Sequence, residues 1–334
     1  MQTILETLYQ GHDLTLEQSQ QAFDAIVNGQ MDPLVLSSLL TALKIKGEKP
    51  AEIAGAAKAL LANAAPFPSP DYEFADIVGT GGDGYNTINI STTSAFVAAS
   101  LGVKVAKHGN RSVSSKSGSS DLLAALGINI EMSPQTARRC LDELNLCFLY
   151  APQYHAGIRH AMPVRKALKT RTLFNVLGPL INPAHPTMEI MGVYDQTLLR
   201  PIAETFRTMG MKKVMVVYGA GLDEVAIHGP TDVAEVNGDD IQYYQLTPES
   251  FGAPVAHIDE LTGGTPEENR QITEQLLQGQ GKSAHLNAVA ANVALLLKLA
   301  GRVDNVADGF ELALSEMRSK RPLELVHHLA EKSQ

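Results

Sequence analysis

The sequence predicts an α/β fold in which an all-helical domain precedes an α/β domain with a mainly parallel sheet. Three observations predict it. Residues 1–65 carry only helical patterns. A Pro-Phe-Pro-Ser-Pro connector follows at 66–70, where each residue before a proline is pushed toward extended backbone. Beyond it, short β-rich runs alternate with helical runs, as crossover helices between parallel strands do. A length of 334 residues suggests about two domains and buries an ample core.

The elements follow in order. Thr15 to Gln18 is a capping box, Thr-Leu-Glu-Gln, ahead of an amphipathic run that ends near Gly29. Asp32 is an N-cap with Pro33 at the first helical position, and that helix stops near Gly47. Pro50 opens a helix over Ala51 to Ala64, rich in alanine and leucine. Strands are predicted at Phe74–Val78, Val103–Lys107, Ile128–Ile130, Cys147–Tyr150, Ile190–Tyr194 and Val214–Tyr218. Helices are predicted between them at Thr93–Leu101, Asp121–Leu126 and Pro134–Leu144. Residues about 155–182 interrupt the alternation with a helical, proline-punctuated stretch expected to pack back on the N-terminal helices. The expected domains are therefore 1–70 plus about 155–182, and 71–154 plus 183–334.

Composition excludes several classes. A net charge of -9 is wrong for a nucleic-acid binder, which needs a basic field. An anionic substrate must then be captured by local groups. The most apolar long stretch, Ala284 to Gly301, carries His285, Asn287, Asn292 and Lys298; it is too polar to span a bilayer and reads as a buried helix. Cys140 and Cys147 read as small buried hydrophobes, without a disulfide or metal pattern. Sparse cysteine and the lack of a signal peptide lead to the expectation of a cytoplasmic protein.

Four polar loops fall at strand ends, where open α/β sheets bind ligands. Asp76-Ile-Val-Gly79-Thr-Gly-Gly82-Asp83-Gly84 runs from an apolar strand into a loop of four glycines. Glycine leaves backbone N–H groups free to approach phosphate oxygens; a plain tight turn is the alternative. The spacing is neither a Rossmann nor a Walker pattern. Asn86 to Thr93 clusters hydroxyls and amides before an alanine-rich helix, with Ser91 or Thr92 as expected N-cap, alone or with a bound anion. Lys107-His108-Gly109-Asn110-Arg111 leads into a serine-rich run through Ser112, Ser114, Ser115, Ser117, Ser119 and Ser120, either a phosphate-binding loop or a solvated linker. Asp223-Glu224 follows the last predicted strand, and adjacent carboxylates there suit Mg²⁺ or simply water. Arg165 is a surface arginine or a bidentate partner for a carboxylate.

Together these residues resemble the anthranilate phosphoribosyltransferase family over nearly the whole chain. The motifs that carry the resemblance are Gly-Thr-Gly-Gly-Asp at 79–83, Asn-Ile-Ser-Thr at 89–92, Lys-His-Gly-Asn at 107–110, Ser-Gly-Ser at 117–119, Arg165 and Asp-Glu at 223–224. Ser120 departs from the family's usual alanine, a small-for-small change. A fused glutamine amidotransferase module is not expected.

The resemblance implies a fold like that of nucleoside phosphorylases, with the active site in the cleft between helical and α/β domains, and a homodimer formed through the helical domain. It implies transfer of a phosphoribosyl group from 5-phosphoribosyl 1-pyrophosphate to anthranilate, giving N-(5-phosphoribosyl)anthranilate and pyrophosphate, in tryptophan biosynthesis. The donor is expected at Gly79, Gly82, Asp83, Thr87, Asn89, Ile90, Ser91, Thr92, Lys107, His108, Gly109, Asn110, Arg111, Ser115 and Ser119. Anthranilate is expected at Gly79, Asn110 and Arg165, the arginine on its carboxylate. Mg²⁺, two ions per subunit, is expected at Ser91, Asp223 and Glu224. No catalytic side chain is expected with certainty. His108 is a candidate base, but the substrate's own carboxylate can take the amine proton. Two rivals remain: a pyrimidine nucleoside phosphorylase of the same architecture, which the glycine and Asp-Glu motifs disfavour, and a non-catalytic nucleic-acid binder, which the charge disfavours.

Overall fold

The computed structural model describes residues 1–111 and 116–334. The N-terminal helices form where expected. Helix Leu16–Val27 is capped by Thr15, whose hydroxyl accepts from Gln18 N–H at 3.2 Å while the Gln18 amide returns to Thr15 N–H. Asp32 caps helix Pro33–Lys46, and helix Pro50–Ala62 follows.

A seven-stranded sheet forms the centre of the rest. Its strands are β1 (Ala75–Gly79), β2 (Val105–Gly109), β3 (Leu146–Tyr150), β4 (Met188–Gly192), β5 (Lys213–Gly219), β6 (Thr231–Asn237) and β7 (Asp240–Leu246), in the order β3-β2-β1-β4-β5-β6-β7. β1 to β5 are parallel, and β6 and β7 close one edge antiparallel. The chain builds from β1 outward to β3, then returns to the other side of β1 with β4. The order reverses between β1 and β4, and that switch point is where such sheets open a crevice at their carboxyl ends.

Alternation along the strands divides the interior. Met188 and Ile190 of β4, with Met215 and Val217 of β5, face one apolar core shared with the buried helix Ser283–Leu299. Met191, Val214 and Val216 face the other side. There they join helix Leu199–Met209 and the N-terminal helices through Phe23, Leu40, Leu43 and Leu60. Residues 156–180 form short helical pieces in this second layer, with Leu173, Phe174 and Leu177 in its core.

Three expectations are corrected. Ile128–Ile130 is not a strand; these residues turn into the N-cap of helix Pro134–Leu144, and Ile128 and Ile130 simply fill the core. The hairpin β6–β7 was not expected. The N-cap of helix Ile90–Ser100 is Asn89, without a side-chain cap bond, so Ser91 and Thr92 lie inside the first turn.

Candidate active site

The glycine loop, the end of β2 and the acidic pair converge at the carboxyl edge of the sheet. β1 runs into Gly81, Gly82 and Gly84 with φ of +71°, +79° and +86°, a left-handed course that L side chains rarely adopt. Gly79 has no room for a side chain: a methyl group there would collide with the Asp223 carboxylate. Gly192 at the end of β4 is closed in the same way by the Asp223 backbone. Two glycines on neighbouring strands thus let the segment after β5 cross the switch point.

Asp223 is buried, and its Oδ2 accepts from Gly81 N–H at 2.6 Å. Glu224 Oε1 accepts from Ser91 N–H at 3.1 Å, in the first turn of helix Ile90–Ser100, where the helix dipole favours anions. Burial, then repulsion from Asp83 and Glu224, holds the Asp223 carboxyl well above the usual carboxylate range. Burial pushes Glu224 up to about 7 against the opposing pull of Lys107, and raises Asp83 as well. Three carboxyl groups therefore share a small space.

Lys107 is buried beside them, donating to Ile77 C=O at 2.5 Å and to Ser91 Oγ at 3.3 Å. Burial lowers its pKa, while Asp76, Glu224 and Asp223 support its charge. Asp76 lies beneath, fully buried, accepting from Ile77 N–H, His108 N–H and Asn182 Nδ2. Burial raises its carboxyl to about 6. Its partner across β1 and β4 is Glu189, another buried carboxyl, held far above its ordinary value by burial and then by Asp76.

The other expected residues fall into distinct places. Thr87 pairs with Thr262 in a short antiparallel bridge, while Ile90 and Thr92 are buried in the helix start. Asn89 spends its side chain on protein: Nδ2 donates to Ser117 C=O at 3.0 Å, and Oδ1 accepts from Asn269 at 2.8 Å. The His108 ring is turned inward, with Nδ1 at 3.1 Å from Gly178 C=O and the ring edge-on to His155. Burial and the neighbouring His155 push it down to about 3. Gly109 packs against Ser119 and Phe148, and Ser119 Oγ donates to Asn110 C=O at 3.2 Å. Arg111 is exposed and paired with Asp121 at 3.2 Å. Ser115, with Ser112 and Ser114, lies outside the described residues.

Arg165 stands apart, on helix Met162–Leu168. Its guanidinium lies 5.0 Å from the Phe174 ring centre, and burial alone lowers its pKa. Among the described residues it has no carboxylate partner. Arg171, which the sequence reading passed over, donates to Gly82 C=O and stacks at 3.9 Å over Tyr194, just beyond β4. Lys44 of helix Pro33–Lys46 holds Arg171 C=O at 2.8 Å, so the glycine loop is tied to the helical layer. No sequence motif marks Arg171; the tie exists only once the layers pack.

A glycine loop and an acidic pair at the carboxyl edge of a mainly parallel sheet, beside a helical layer, are the layout of the family that the chain matches. Residues 71–321 match the glycosyl transferase family, a/b domain, and residues 2–64 match its helical bundle domain. Anthranilate phosphoribosyltransferase of Tolumonas auensis is 61% identical over 330 residues, covering 99% of this chain and 98% of its own length. That of Vibrio cholerae is 61% identical over 332 residues, covering 99% and 100%. The Thermus thermophilus enzyme structure superposes with a TM-score of 0.93 at 38% identity, covering 98% of each chain. The Saccharomyces cerevisiae enzyme in complex with PRPP and Mg superposes with a TM-score of 0.91 at 30% identity, covering 99% of this chain and 97% of that one. The chain belongs to the anthranilate phosphoribosyltransferase family: it transfers the phosphoribosyl group of 5-phosphoribosyl 1-pyrophosphate to anthranilate, in tryptophan biosynthesis.

Proposed function

We propose that the donor's diphosphate lies over the loop at 79–83, against the acidic pair Asp223 and Glu224. One observation carries this reading: Gly81 N–H already donates to a carboxyl oxygen, that of Asp223, at 2.6 Å. A phosphate oxygen is the same kind of acceptor and suits the same nest. When it takes that place, the Asp223 carboxylate is free to turn to a cation. Gly79, Gly82, Asp83, Thr87, Asn89, Ile90, Ser91, Thr92, Lys107, His108, Gly109, Asn110, Arg111, Ser115 and Ser119 form the proposed surround of the donor.

Mg²⁺ fits this edge. Asp83, Asp223 and Glu224 are crowded carboxyl groups held above their ordinary pKa, and a divalent cation relieves such crowding. Among the described residues no three His, Cys, Asp or Glu side chains form a ready metal cluster. The Ser91 hydroxyl and the donor's own oxygens complete the proposed coordination of two ions, as Mg²⁺ takes few protein ligands. The metal supplies charge neutralisation for the departing pyrophosphate.

At the ribose C1, the bond to pyrophosphate breaks as the bond to the amine nitrogen forms. Arg165, which faces no carboxylate among the described residues, orients anthranilate through its carboxylate, together with Asn110 and Gly79. His108 is not placed to act as base, because its ring is buried against Gly178 and His155. The substrate carboxylate accepts the amine proton.

The proposed domains are 1–70 plus about 155–182, and 71–154 plus 183–334. The second core supports grouping the two helical pieces, which pack together in it, although one face of the sheet and helix Leu199–Met209 share that core. A homodimer through the helical layer accounts for Tyr9, Leu34, Ile45 and Met162, large apolar side chains exposed on three helices that pack together. A cytoplasmic location agrees with two unpaired buried cysteines and, among the described residues, no helix long and apolar enough to cross a membrane.

The test is the double replacement Asp223→Ala with Glu224→Ala. Turnover is expected to fall on the order of a thousandfold and the Mg²⁺ requirement to rise, with melting temperature unchanged or higher because two strained buried carboxyls are gone. An unchanged rate rejects the metal edge.

A further inference from the structure

We infer that Asn269 is a positioning residue for the phosphoribosyl donor, acting through Asn89. The inference rests on the donor site proposed above and adds a residue outside it. Asn269 sits on helix Pro266–Leu276 and is 1% exposed. Its Oδ1 accepts from Gly264 N–H at 2.7 Å, and its Nδ2 donates to Asn89 Oδ1 at 2.8 Å. The orientation is forced, because a backbone N–H can only donate: the oxygen must face Gly264 and the amino group must face Asn89. Asn89 is then fixed in turn, with its own amino group directed at Ser117 C=O at 3.0 Å.

The surrounding strap depends on the same contact. Residues 261–263 lie along the loop before helix Ile90–Ser100: Ile88 N–H reaches Leu261 C=O at 3.0 Å, Gly263 N–H reaches Asn86 C=O at 2.8 Å, and Thr87 bridges Thr262. These bonds hold the backbone of 86–88. The Asn89 side chain is held by Ser117, whose C=O accepts from Nδ2 at 3.0 Å and whose hydroxyl lies 3.4 Å from Oδ1, and by Asn269, which makes the shorter bond to Oδ1. One buried amide therefore sets the loop that follows β1 against the serine segment that follows β2. Side chains locked by such neighbours give sites their precision.

The experiment compares Asn269→Ala, Asn269→Asp, Asn89→Ala and the Asn89→Ala/Asn269→Ala pair, each measured for kcat, for KM of both substrates, and for melting temperature. Aspartate keeps the acceptor for Gly264 but sets a carboxyl oxygen against Asn89 Oδ1, so the melting temperature is read beside the kinetics, and Asn89→Ala, which leaves the Asn269–Gly264 bond intact, covers the case of Asn269 variants that do not fold. Both Asn269 variants are expected to raise the donor KM roughly tenfold, leaving kcat and the anthranilate KM within about twofold. The pair is expected to be no worse than Asn89→Ala alone. Equal effects on both substrates, additive effects in the pair, or an unchanged donor KM in the Asn269 variants beside a raised one in Asn89→Ala overturn the inference. An unchanged donor KM in Asn89→Ala itself instead rejects the donor site at Asn89, and the inference falls with it.

Discussion

The two proposed substrate regions are built on opposite plans. The proposed donor side is made of strand ends, a helix start and a buried charge set, and Asp223, Glu224, Lys107 and Asp76 there each have protein partners. The proposed acceptor side presents Arg165 from a seven-residue helix, resting on Phe174 and, among the described residues, facing no carboxylate. A donor with many charges and a fragile bond is served by fixed dipoles, which need no reorganisation as charge develops. A small planar acid is served by one fork-shaped cation that arrives with a separate layer.

Three variants sharpen this contrast, after the acidic-pair replacement, which strikes the donor side hardest. Arg165→Ala is expected to raise the anthranilate KM about thirtyfold, as a charge-assisted pair is lost, and to leave the donor KM within about twofold. Steady-state kinetics with each substrate varied reads this; an equal rise in both would erase the division. Arg171→Ala is expected to raise the donor KM about fivefold, because the glycine loop loses its tie to the helical layer, with Lys recovering part of the loss through the Gly82 bond but not the Tyr194 stack. A loss confined to anthranilate would move Arg171 to the acceptor side.

The smallest effect is one of stability. His108 is held at about 3, below the ordinary histidine value near 6.5. The unfolded chain therefore takes up its proton first as pH falls. The His108 contribution is full above about pH 6.5 and is lost as pH drops toward 3, by about 1.4 kcal/mol per unit. Asp76, raised to about 6, tilts the other way and stays in place. His108→Asn is expected to shift the slope of urea-unfolding free energy against pH between about pH 6 and 4 by about 1.4 kcal/mol per unit, toward less stability lost on acidification, whatever the raised carboxyls add in both proteins. An unchanged slope contradicts a neutral buried ring.

Much of the donor side was readable because its chemistry is local. Gly79 to Asp83 and Asp223-Glu224 each lie in a few consecutive residues after an apolar run, and residue type at a strand end is a sequence property. Asn269, Asn182 and Arg171 were not readable. Each matters through a partner between 89 and 180 residues away, and no spacing rule relates them. The hairpin β6–β7 was different, because its signal was present: Gly238-Asp239 is a two-residue loop between β-rich runs, and Gly238 takes φ of +65°. Ile128–Ile130 failed for the opposite reason, since two isoleucines either side of Asn129 fill the core without pairing as a strand.

The central claim is that the N–H nest now holding Asp223 is the seat of the donor's diphosphate. A crystal structure with donor and Mg²⁺ bound tests it most directly. The account predicts phosphate oxygens within hydrogen-bond reach of Gly81 N–H, with the Asp223 carboxylate withdrawn from that contact and turned to metal. A diphosphate bound elsewhere, with Asp223 still accepting from Gly81, would contradict it.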